Sequence, residues 1–156
     1  KKMKYLHESI EHPVVDIDDL SAMFGEVYVN RMRTPKLILK GLNLLECAID
    51  FDGTIMSTVA TLNIRSDSAE MLCVLGSIIN SSVMTEYCKS KYISSSYCGG
   101  LLFMPDMINR LPVPDLSDMG QWRDVVKRVL CLMSEGGDRA IEAELDAMIR
   151  CRLLAE

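Results

Sequence analysis

Between residues 67 and 92, the apolar residues Met71, Leu72, Leu75, Ile78, Ile79, Val83 and Tyr87 recur at spacings of three and four. Only an α-helix gathers such a set onto one face. From Met71 to Thr85 the segment carries no charge at all. A helix this apolar must be buried by its neighbours, so the rest of the chain has to supply covering layers. Asp67 is the expected cap, and Glu70 three residues later would complete a capping box. Lys89 and Lys91 close the helix, where positive charge suits the exposed carbonyls.

The preceding segment switches to β character. Pro35 leads into Leu37, Ile38 and Leu39, a run too short for a helix, and Leu44–Asp50 forms a second run. Asp52-Gly53 is a turn signal. The stretch Ile55–Ile64, with Thr58, Val59 and Thr61, is rich in β-branched residues and reads as a third strand. Three consecutive strands suggest a meander or a small curved sheet. Before them, residues 14–30 read as a helix followed by a short extended piece. Asp16, Asp18 and Asp19 favour the helix start, Leu20, Met23 and Phe24 form its stripe, and Gly25 is its stop.

After the central helix, residues 93–114 read as a loop and a strand, with a short helical turn after Pro105. Leu111-Pro112-Val113-Pro114 must be extended. Residues 117–134 form an amphipathic helix capped by Ser117 or Asp118, lined by Trp122, Val125, Val126, Val129, Leu130 and Met133. Gly136-Gly137 breaks it, and residues 138–154 make a second helix through Ile141, Leu145, Met148, Ile149 and Leu153. The fold class expected is α+β: a small, mostly antiparallel sheet packed on a helix, with a C-terminal antiparallel helical hairpin. Residues 1–114 form the main globular region, and residues 115–156 form the hairpin packing on it, as one structural domain.

A hydrophobic fraction of 49% and a charged fraction of 25% are those of a soluble globular protein. No apolar run is long enough to span a bilayer. The opening Lys1-Lys2-Met3-Lys4 lacks the apolar core of a signal peptide and reads as the continuation of a longer chain. The net charge of −5 argues against broad nucleic-acid binding. That charge is uneven: residues 1–30 carry −3, residues 31–114 carry +1, and residues 115–156 carry −3. The middle of the chain is therefore the place for an anionic partner. The six cysteines form no C-x-x-C pair, and His7 and His12 are the only histidines, so neither a zinc site nor a disulfide framework is expected. Reduced cysteines and the missing leader fit a cytoplasmic protein.

The motifs of common chemistries are missing. There is no G-x-G-x-x-G turn, no P-loop lysine pattern and no G-x-S-x-G elbow. The Asn/Asp-Pro-Pro-aromatic motif that holds a flipped adenine in adenine methyltransferases does not occur. Asp16, Asp18 and Asp19 are explained by helix-start charge rather than by a metal.

Four pieces carry a resemblance to a known family. They are Pro35–Lys40; Ala48–Asp52 followed by Ser57-Thr58-Val59; Met71–Ser81; and Gly99-Gly100-Leu101-Leu102-Phe103 through Leu111-Pro112-Val113-Pro114. In this order and spacing the segment from Pro35 to Pro114 resembles the TaqI-like C-terminal specificity domain of type IIG restriction–modification enzymes. It is also similar to the target-recognition domains of type I specificity subunits, which serve adenine-specific DNA methyltransferases. Ile141-Glu142-Ala143-Glu144-Leu145-Asp146 extends the likeness. The resemblance implies a non-catalytic DNA-binding module. A separate methyltransferase domain would bind S-adenosylmethionine, and this fragment would need no cofactor or metal. The partners implied are double-stranded DNA and that methyltransferase domain, with no membrane.

The candidate contacts to phosphates and base edges are Arg33, Lys36, Lys40, Asn43, Lys89, Lys91, Tyr92, Ser95 and Tyr97. Lys36 and Lys40 are four residues apart on one strand and so face one side, where they would form a phosphate-gripping stripe with Arg33. An ordinary solvated strand edge accounts for the same lysines equally well. Two other readings stay open: a protein-interaction or scaffolding domain, favoured by the acidic balance, and a hydrolase using a cysteine. Convergence of the basic residues on one face distinguishes the first from DNA recognition, and a histidine within reach of a thiol would signal the second.

Overall fold

The computed structural model describes Tyr5 and residues 14–43, 45–57, 61–92, 96–97 and 100–154. It has an α+β fold. Helices α1 (Ile17–Phe24) and α2 (Glu26–Met32) lead into strands β1 (Lys36–Lys40), β2 (Leu42–Asn43), β3 (Cys47–Asp50) and β4 (Thr61–Arg65). Helices α3 (Ala69–Asn80) and α4 (Ser82–Lys91), strands β5 (Ser96–Tyr97) and β6 (Gly100–Leu102), and helices α5 (Pro105–Ile108), α6 (Arg123–Ser134) and α7 (Arg139–Leu154) complete the order. The carboxylate of Asp16 accepts the Asp18 N–H and starts α1, as the acidic cluster suggested. Gly25 stops α1 at φ 84°, a conformation glycine adopts without penalty. The chain beyond it resumes as α2 instead of extending.

Of the two arrangements expected, a meander or a small curved sheet, the first sheet is small and not a meander. Its order is β3-β1-β4, with β1 in the centre and antiparallel to both neighbours. The reason lies at Asp50. Its carboxylate accepts the N–H groups of Thr54 at 3.1 Å and Ile55 at 3.0 Å, so these donors cannot begin a hairpin ladder on β3. Gly53, at φ +64°, folds the turn against the corner between α2 and β1, where a Cβ would lie 2.4 Å from the Arg33 carbonyl oxygen. The chain then crosses to the far edge of β1. Thr58 and Val59, expected within this strand, lie outside the described residues.

The corner is held by Lys36. Its side chain is fully buried, and its ammonium donates to Asp50 Oδ2 at 2.5 Å, to the Met32 carbonyl at 2.6 Å and to the Thr34 carbonyl at 3.4 Å. All three ammonium donors are thereby used. The Met32 carbonyl ends α2, where positive charge is favoured. One side chain therefore fixes the end of a helix, the start of the central strand and the turn after its neighbour.

On the other face of the sheet, Leu37, Leu39, Cys47 and Ile49 join the main core. This core is built around α3, whose residues Leu72, Cys73, Val74, Ile78 and Ile79 are buried. Gly76 lets α3 approach the sheet: a Cβ there would meet Ile49 at 3.3 Å and Leu37 at 3.5 Å. The cap of α3 is Ser68, which accepts the Met71 N–H at 3.1 Å, one residue later than the Asp67 expected. The stripe read as one helix is two, α3 and α4, bent by 57° at Ser81. Ser81 takes extended backbone angles, donates to the Ile78 carbonyl and caps α4 by accepting the Met84 N–H. Asn80, at the end of α3, pairs with both backbone groups of Cys47: Oδ1 accepts its N–H at 2.9 Å, and Nδ2 donates to its carbonyl at 3.0 Å.

The C-terminal helices form the expected hairpin around Gly136 and Gly137, both at positive φ. Asp118 caps the short 3-10 turn Met119–Trp122 that leads into α6. Val125, Val129 and Leu132 of α6, and Ile141, Leu145 and Ile149 of α7, are buried in the same core as α3. Outside it, Arg128 pairs with Glu144, and Arg152 pairs with Asp124 at 2.8 Å while lying over the Trp122 ring. From α7, Asp146 accepts the Ser82 N–H at 2.6 Å and the Ser82 hydroxyl at 2.7 Å. The hairpin thus caps α4 from outside.

Three expectations concern stability, read from urea denaturation midpoints. Removing one partner of the buried pair, by Lys36→Ala or Asp50→Ala, should cost about 3–5 kcal/mol, because the other charge stays buried. The double variant should lose less than the sum of the two. Gly53→Ala should cost about 2 kcal/mol or more, from the left-handed backbone and the collision with Arg33. Asp146→Ala should cost about 1–2 kcal/mol by removing a helix cap, although the apolar core is untouched.

Candidate nucleic-acid interface

The structure corrects one of the expected DNA-binding residues outright. Lys36 is 0% exposed and saturated by its internal partners, so it cannot reach a phosphate. The stripe of Arg33, Lys36 and Lys40 therefore does not exist. Its physical reason is the burial of Asp50, whose carboxylate needs a cation beside it. Arg33 is exposed at the near end of β1 and Lys40 is half-buried at the far end. A strand of this length separates the two by more than about 13 Å.

The second sheet organises the remaining residues. Its order is β2-β6-β5, antiparallel throughout. Leu42 and Asn43 pair with Leu102 and Leu101, while Ser96 and Tyr97 pair with Leu101 and Gly100. The Phe103 N–H donates to the Gly41 carbonyl at 3.0 Å, which ties this sheet to the end of β1 beside Lys40. Asn43 and Ser96 share the partner Leu101 and so lie about 10 Å apart across the sheet. Strand β5 follows closely on α4, whose last turn carries Lys89 and Lys91. Topology thus gathers Lys40, Asn43 and Tyr97 around one small sheet, although they are scattered over nearly sixty residues. Asn43 and Tyr97 are placed here by backbone register alone, and Ser95 lies outside the described residues.

The electrostatics at this end are open. Lys89 and Lys91 are exposed, and neither they nor Lys40 form an ion pair with another described residue. The nearest acid on α4, Glu86, is engaged by Arg150 at 3.7 Å. Tyr92 is half-buried and packs edge-on against Tyr87, with ring centroids 6.5 Å apart, which holds the chain as it leaves α4. At the other end of β1, where Arg33 lies, the register adds a second exposed arginine that sequence patterns do not reveal. Arg65 is in register with Lys36 and exposed, and the Ser66 N–H meets the Pro35 carbonyl beside it. Its signal is a single arginine closing a strand, which points nowhere until the register is known. The cations therefore form two groups, not one.

Several motif residues behind the family resemblance have structural duties. Gly76 admits the sheet, Asn80 grips Cys47, Ser81 bends and caps, and Asp146 caps α4. Two of the buried cysteines offer little nucleophilic chemistry. Burial pushes the Cys73 and Cys88 thiols up to about 11, so both stay protonated near neutrality. His7 and His12 lie outside the described residues. Among the described residues, no cluster of three or more His, Cys, Asp or Glu could hold a metal ion, and no single helix is long and apolar enough to cross a membrane. Compared with known proteins, the chain matches no family model and no curated protein.

Proposed function

We propose that this chain is a DNA target-recognition module of a restriction–modification enzyme, of the type IIG or type I kind. The reading rests on the resemblance of Pro35–Pro114 to that family. The observation that carries it is the small second sheet, which sets Asn43 and Tyr97 beside the Lys40 end of β1, while Lys89 and Lys91 end the helix that precedes β5 in the chain; none of these lysines is engaged by a described carboxylate. Lysines with no described counter-charge would neutralise phosphates, and polar residues of the adjoining strands, such as Asn43, would read base edges. In this reading the chain is non-catalytic and cytoplasmic. S-adenosylmethionine and the target adenine belong to a separate methyltransferase domain, and double-stranded DNA and that domain are its partners. Arg33 and Arg65, both exposed at the other end of β1, would extend the interface along the duplex.

Salt-titrated fluorescence anisotropy with a duplex bearing the parent enzyme's site, performed on the parent protein, tests this. Lys40→Ala and the Lys89→Ala/Lys91→Ala pair should each weaken binding. Each should also flatten the salt dependence by about one unit of slope for every phosphate that the substituted lysine neutralises. Lys127→Ala, on α6 away from this sheet, should change neither. Affinity and slope that survive all three substitutions alike would remove this end of the molecule from DNA binding.

A further inference from the structure

Helix α1 contributes no buried residue to the fold. Ile17, Leu20, Phe24 and Tyr28 follow one another at spacings of three and four, and the stripe runs across the Gly25 break, where the Phe24 and Tyr28 rings sit 5.5 Å apart. Met23 and Val27 flank it. Met23 is 74% exposed, Val27 69%, Phe24 55%, and Val14 just before the helix is 100% exposed. Among the described residues, Val29 of α2, the Met32 carbonyl and its neighbours fasten this arm to the body. An eight-residue helix is marginal in water unless its apolar face is covered, and a patch of this kind marks an interaction surface.

The charge around the stripe selects what covers it. Asp16, Asp18, Asp19 and Glu26 surround the apolar positions, and the one cation on the two helices, Arg31, lies in the last turn of α2, beyond the stripe. The carboxylates around the α1 stripe would repel a nucleic acid or an anionic lipid surface. A second copy of the same arm would bring both sets of carboxylates together. We propose that α1 and α2 form a docking surface for a basic amphipathic helix of a partner protein, its apolar side on Leu20, Phe24 and Val27 and its Lys or Arg side chains on the flanking carboxylates. This surface is separate from the Lys40 end of the molecule and does not depend on DNA recognition.

The test uses two synthetic helices of about fourteen residues, roughly four turns, with the same leucine stripe, one with lysine and one with glutamate at every polar position. Titration against the chain is followed by anisotropy of a labelled peptide, with size-exclusion chromatography of the chain alone over a range of concentrations. The Leu-Lys helix should bind at least about tenfold more tightly than the Leu-Glu helix, with an affinity that falls as salt rises. Met23→Ser/Phe24→Ser/Val27→Ser should abolish the binding, and Asp18→Asn/Asp19→Asn should weaken it and flatten its salt dependence. Because all five positions are exposed, the thermal midpoint should stay within a few degrees. Equal binding of the two peptides, or undiminished binding by the serine variant, overturns the proposal. So does a concentration-dependent dimer that the serine variant loses, which would make a second copy the occupant. The peptide comparison on the unaltered chain stands even if a variant fails to fold.

Discussion

A buried ammonium group is expensive to hide, and the corner of this fold is arranged around one. Lys36 sits where the last carbonyl of α2, the Thr34 carbonyl and the Asp50 carboxylate converge. Each of these is an acceptor that would itself be costly to bury alone. Asp50 then passes the constraint on, since the same carboxylate holds the N–H groups of Thr54 and Ile55 and so aims the chain toward the far edge of the sheet. The order β3-β1-β4, the seating of α2 and the approach of Gly53 to Arg33 all follow from that one cluster. An apolar replacement of the whole pair would avoid the desolvation cost that both buried charges carry.

A second polar device does similar work at the opposite face. Asn80 ends α3 with an amide that reproduces a strand's hydrogen-bonding pattern on Cys47, and Ser81 then turns the chain into α4. A helix terminus leaves carbonyls without partners, and buried termini need specific side chains to answer them. The positions between Gly76 and Ser82 answer that need one after another. Side chains at such points are fixed by backbone geometry, which explains why a run like Leu75-Gly76-Ser77-Ile78-Ile79-Asn80-Ser81 reads so distinctly in the sequence.

What the sequence could show follows from the range of each signal. The helical hairpin was legible because its periodicity, its Gly136-Gly137 break and its caps are all local, and the α+β class followed from the change of period near residue 67. The break at Ser81 was hidden, since the apolar spacing continues across it and the turn is set by a serine that also suits a helix surface. Strand order was hidden because it depends on Asp50 capturing two N–H groups, an interaction no pattern of hydrophobicity encodes. Lys36 was the most misleading residue. A lysine on a strand looks like a surface charge unless its carboxylate fourteen positions away is known to be buried beside it. The placing of Asn43 and Tyr97 beside the Lys40 end of β1 was likewise invisible, because it is made by three strands only two or three residues long.

The seating of Asp146 against Ser82 joins parts of the chain that sequence distance keeps far apart. A helix advances about 100° per residue, so adding or deleting a single position in α7 before Asp146 would swing the carboxylate off the start of α4. The hairpin is therefore phase-locked to the body of the domain. Its length between Gly137 and Asp146 is fixed by the angle at which one oxygen pair must arrive, and the helix carrying Lys89 and Lys91 inherits its orientation from that phase.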